Sequence, residues 1–128
     1  MNRILNPATV APPAGRYSHA IEVPANARWL TISGQVGTAP DGTVAADIES
    51  QAANCWRNIT SILADAGMAV SDLVKVTVFL TREQDIPAYR AARDRALGEA
   101  RPASTLLVIS KLASPSFLVE LEATAAKS

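Results

Sequence analysis

The chain has 128 residues, 48% of them hydrophobic, with 12 lysines and arginines against 12 acidic residues. That length suits one domain spanning 1–128, and the balanced charge leaves no excess to hold nucleic acid or an anionic membrane surface. Cys55 is the one cysteine, which excludes an internal disulfide and suits a reducing compartment. With no signal-like apolar run in MNRILNPATVAPPAG and no stretch of membrane-spanning length, the expectation is a soluble cytoplasmic protein.

Pro7, Pro12, Pro13 and Gly15 make the opening an extended lead-in, since proline supplies no backbone donor and breaks helices. SHAIEV and ARWLTISG then read as two strands by their alternation of apolar and polar residues. Pro40-Asp41-Gly42 is a turn signal. From Asp47 to Ala66 the period changes: Ile48, Ala52, Cys55, Ile59, Ile62 and Leu63 recur at helical steps, and Gly67 suits a left-handed residue after the helix. LVKVTVFL, residues 73–80, is the clearest strand.

Thr81 and Gln84 have capping-box spacing, and Asp85 before Ile86-Pro87 starts a second helix that runs to about Glu99, weakened at its end by Gly98. Residues 104–109 and 117–124 are two final strands, joined by a turn at Ser114-Pro115-Ser116. The order β-β-α-β-α-β-β predicts an α+β fold, a mixed sheet with both helices on one face.

Strand parity puts Leu30, Ile32, Val74, Val76, Val78, Leu107, Ile109, Val119 and Leu121 beneath the helices. The other face then carries Trp29, Thr31, Ser33, Thr77, Phe79, Leu106, Val108, Leu118, Glu120 and Glu122. So many large apolar groups on a bare face predict self-association. Glu120 would then stand near a subunit seam.

AGRYSHA, LTISGQVG, DIESQAANCWRNITSILADAG, DLVKVTVFLT and RPASTLLVISKL…VELEA together resemble the RidA/YjgF family of reactive-intermediate deaminases, in register from Pro12 to Ala123. The resemblance implies a chorismate-mutase-like fold and a homotrimer with a small-molecule cleft between neighbouring subunits. It also implies hydrolysis of enamines and imines to a carbonyl product and ammonia. With no His/Cys/Asp cluster at metal-ligand spacing and no glycine-rich phosphate loop, no metal or cofactor is expected. Carried over residue by residue, the family's water-managing glutamate is Glu120, its lead-in tyrosine Tyr17 and its serine Ser33. The arginine that grips the substrate carboxylate is replaced by Ser104, and the cysteine two residues on by Leu106. A serine hydroxyl offers one donor where a guanidinium offers two parallel charged ones. The chain therefore resembles an arginine-less branch of altered specificity.

Arg16 stands where the family usually has proline, and its place beside Tyr17 makes it a candidate to supply the missing cation. Parity argues against Arg101 in that role. Ile86 occupies a position where the family commonly shows asparagine. Cys55 on the apolar helical stripe reads as core, Glu122 and Asn58 as structural, and His19 as a surface imidazole. Two readings follow: an imine or enamine deaminase with Glu120 as general base, or a trimer that binds a metabolite in the same cleft without turnover. A ribonuclease, the family's older label, lacks both an acid–base histidine pair and a basic stripe.

Overall fold

Two structural layers follow directly from the hydrophobic periods of the chain. The computed structural model describes residues 1–128, in six strands and two α-helices: β1 Arg3–Leu5, β2 Ala20–Glu22, β3 Arg28–Val36, α1 Ile48–Asp65, β4 Leu73–Leu80, α2 Ile86–Leu97, β5 Ala103–Val108 and β6 Val119–Lys127. Four strands form one sheet in the order β3-β6-β4-β5, and β1 pairs with β2 in a separate two-stranded sheet. The β4–β5 pair is parallel, with α2 as its crossover, while β6 runs antiparallel to both β3 and β4. This is the expected α+β architecture, with one addition and one relocation. The lead-in contains β1, and SHAIEV supplies β2 to that outlying pair instead of joining the main sheet. Arg3 and Glu22 are register partners there, with an ion pair of 2.9 Å.

Helix α1 forms where its stripe predicted. Asp47 caps it, accepting from the Ser50 amide at 2.8 Å, and Gly67 follows its end at φ 71°. Ile48, Ala52, Cys55, Ile59 and Leu63 are buried, joined by Gln51 and Trp56. Helix α2 starts where Asp85-Ile86-Pro87 predicted, at Ile86 with Asp85 as its N-cap and proline in the first turn, but a 3-10 turn, Glu83–Asp85, precedes it and Thr81 is no cap. The buried Asp85 carboxylate turns to Arg82, which donates from Nε at 2.8 Å and Nη2 at 2.9 Å. Gly98 at φ 56° caps α2, which ends at Leu97, two residues short of the expected end at Glu99.

The core lies between this sheet and the two helices, built around Ile59, Leu63, Val76, Val78, Leu80, Tyr89, Val119 and Leu121. Parity held for β3, β6 and most of β4, but not for β5. Val76 pairs with Ser104 and Val78 with Leu106, and directly paired residues share a face. Ser104, Leu106 and Val108 therefore lie on the helix side, and Leu107 lies on the bare side with Phe79, Glu120 and Glu122. The reason is register. A parallel edge strand takes its phase from the crossover that delivers it, and its own apolar run LLVI has no alternation to declare one. A bulge between Leu73 and Lys75 likewise leaves Val74 half-buried and Leu73 in the core. No helix is long and apolar enough to cross a membrane.

Candidate functional site

The residues singled out in the sequence fall into two groups on opposite sides of the sheet. The first is built by an irregularity in β3. Its pairing with β6 is regular through Ile32, which faces Ala123, and resumes at Gln35, which faces Leu121, leaving Ser33 and Gly34 as a bulge. Glu120 lies over that bulge. A Cβ on Gly34 would stand 1.8 Å from Glu120 Oε2 and 2.8 Å from its Cδ, so only glycine lets the carboxylate settle there. Glu120 is half-buried, and no donor of this chain is hydrogen-bonded to its carboxylate. Acceptor capacity with no internal partner is what a group handling water or a ligand proton requires. Glu122, one pleat along, is exposed.

Cys55 lies beneath this group. Its thiol donates to the Gln35 carbonyl at 3.3 Å. Burial, with the Glu120 charge adding to it, pushes the thiol up to about 12. Such a sulfur stays protonated and inert, as its place on the helical stripe predicted. Asn58 is structural too, with Nδ2 near the carbonyls of Val36 at 3.5 Å and Thr38 at 3.4 Å.

The second group sits at the free edge of β5. The Ser18 amide donates to the Pro102 carbonyl at 3.2 Å, its hydroxyl donates to the Arg101 carbonyl, and Ser18 and Ala103 form a parallel bridge. These bonds lay the lead-in along the start of β5 and bring Tyr17 beside Ser104. Between the lead-in, β5 and α2 is a cavity of about 250 Å³, lined by Tyr17, Ser104 and Leu106 together with Val78, Tyr89, Arg90 and Arg93. The Tyr17 hydroxyl accepts from the Ala14 amide at 3.2 Å, which leaves its own proton free to donate. Burial pushes the Tyr89 phenol well above the ordinary tyrosine range, so it remains neutral.

Arg16 does not enter this cavity. Its Nε points to Asp94 Oδ2 on α2, 3.7 Å away. The reason is local: the exposed lead-in turns the side chain along the rim, where α2 offers a carboxylate. Arg101 is also engaged elsewhere, donating from Nη1 to the carbonyls of Gly98 at 2.8 Å and Ala100 at 2.9 Å. The cations that do line the cavity, Arg90 and Arg93, were not among the candidates. Their three-residue spacing on α2, flanking the buried Tyr89 and Ala92, was the available signal. His, Cys, Asp and Glu side chains gather in no group of three suited to a metal ion.

Tyr17, Ser104 and Leu106 thus share one cavity, Ser33 and Glu120 share one bulge, and the sheet separates the two sets. The family described as Endoribonuclease L-PSP matches residues 8–127. A RutC family protein of Pyrococcus abyssi is 34% identical over 117 residues, covering 90% of this chain and 89% of the relative. A 2-iminobutanoate/2-iminopropanoate deaminase of Dermatophagoides farinae is 26% identical over 112 residues, covering 86% and 85%. The crystal structure of YyfB, a Rid-family protein of Yersinia pestis, superposes with a TM-score of 0.89 at 29% identity over 98% of both chains.

Proposed function

The chain belongs to the Rid/YjgF family, described also as Endoribonuclease L-PSP, and from that premise we propose that it hydrolyses small reactive imines or enamines to a carbonyl product and ammonia. The observation that carries this is the Glu120 carboxylate, seated over Gly34 with no partner of its own chain. In the proposed reaction Glu120 takes a proton from water as the water oxygen bonds to the C=N carbon. Glu120 passes that proton to the nitrogen, giving the carbinolamine, and then carries the carbinolamine's hydroxyl proton to the same nitrogen as the carbonyl forms, the C–N bond breaks and ammonia leaves.

One subunit does not bring Glu120 to the cavity at β5. The proposal therefore includes a homotrimer, in which the Ser33–Gly34–Glu120 bulge of one copy closes over the Tyr17, Ser104 and Leu106 cavity of the next. The exposed Trp29 and Leu107 on the sheet's uncovered side support that assembly. The test is ammonia release from imines generated freshly in the assay. Glu120→Gln should lower the rate by about a hundredfold or more while the protein stays folded, in line with the contribution of a positioned base. Equal rates in wild type and variant would remove the hydrolase.

Ser104 favours a second reading, in which the same trimer binds a metabolite without turning it over. That protein would show ligand-dependent thermal stabilisation and ammonia release no faster than buffer.

A further inference from the structure

We propose that Arg90 on α2 is the anion-binding residue of the β5 cavity, and that it orients a small 2-oxo or 2-imino acid with its carboxylate toward α2 and its hydrocarbon chain toward β5. The proposal rests on reading that cavity as half of the ligand site. The cavity holds two guanidiniums and no carboxylate among its lining residues. Arg93 is already committed: its Nε and Nη2 reach Asp94 Oδ1 at 3.1 and 3.0 Å. The other oxygen of Asp94 faces Arg16. Two guanidiniums around this rim therefore share one acid, and the third, Arg90, has no hydrogen-bonded or ionic partner in the chain. A free guanidinium beside a recess presents paired donors in the geometry a carboxylate accepts.

The opposite wall supplies the other half of the orientation. Leu106 and Val78 face the cavity from β5 and β4, so an aliphatic side chain gains by lying there and a charged group does not. Ser104 and the free proton of Tyr17 remain to bond neutral oxygen or nitrogen near the reacting carbon. A guanidinium carried on β5 would put the acid against that strand. Here Ser104 and Leu106 leave the strand wall without charge, and the cation stands one wall away on the helix. Ile86, Arg90 and Arg93 occupy successive turns of α2, at four- and three-residue steps, so the helix presents them along one stripe.

Calorimetric titration of the assembled protein with 2-oxobutanoate and with its uncharged methyl ester tests the assignment. Arg90→Gln should weaken 2-oxobutanoate binding by about tenfold or more, the worth of a bond to a charged group. Binding of the ester should be unchanged by the same substitution. Arg95→Gln, on the exposed flank of α2 away from this cavity, should bind as wild type does. Equal 2-oxobutanoate affinity in wild type and Arg90→Gln, or no binding by wild type, overturns the assignment. Arg90-dependent binding without any ammonia release would leave it standing and remove only the hydrolase. Ammonia release that ignores Arg90 would do the reverse.

Discussion

At the scale of single residues, the contact between Gly34 and Glu120 fixes where the carboxylate sits. A Cβ at Gly34 would overlap Oε2, yet the overlapped atom is the end of a rotatable side chain above an exposed bulge. Gly34→Ala should therefore leave the urea midpoint nearly unchanged while lowering ammonia release about tenfold to a hundredfold, because small misplacements of a catalytic group are costly. An unchanged rate would detach Glu120 from the chemistry. VELEA and ISGQ already marked Glu120 and Ser33 in the sequence. The close approach of Gly34 was hidden, because it depends on two strands distant in the chain meeting at a bulge. Arg16 shows the converse. Its neighbour Tyr17 does line the cavity, but adjacency along an irregular lead-in says little about direction, and Asp94 draws the arginine along the rim.

At the scale of elements, Gln51 joins α1 to the chain entering β6. It is fully buried. Its Nε2 donates to the carbonyls of Ala45 at 2.7 Å and Ser116 at 2.8 Å, and its Oε1 accepts from the Leu118 amide at 2.9 Å. Gly37 makes room for it, since a Cβ there would stand 2.5 Å from Gln51 Cβ. Gln51→Leu conserves much of the volume but strands three backbone groups, and unfolding in urea should register a loss of about 2–4 kcal/mol. A loss below about 0.5 kcal/mol would mean that water replaces the amide. Helix α1 was legible in the sequence because its apolar stripe and Gly67 agree. The β5 phase was not, because LLVI is apolar on every residue and parity needs a contrast to read. That phase carried Ser104 and Leu106 to the helix side, where they meet Arg90.

At the scale of the whole molecule, the uncovered side of the sheet carries the apolar surface on which the proposed trimer rests. Trp29 is 59% exposed and Leu107 44%, with Phe79 half-buried between them and the Glu120 bulge on the same side. Sedimentation should find three chains together. Leu107→Asp should release single chains that have lost ammonia release even though Glu120 is intact, because the cavity and the bulge would no longer meet. A wild-type protein sedimenting as one chain would end the shared-site account. The sequence alone determined the family, the order of the principal elements and the core stripe of α1, and it nominated Glu120, Tyr17 and Ser33 as candidates, because each is written in local periodicity or contiguous motif. Tertiary structure alone decided that Glu120 and Ser104 lie on opposite sides of a sheet, and that the cations beside Ser104 come from α2. Those facts depend on strand register and on a crossover helix folding back over an edge, which bring together residues that share no stretch of chain.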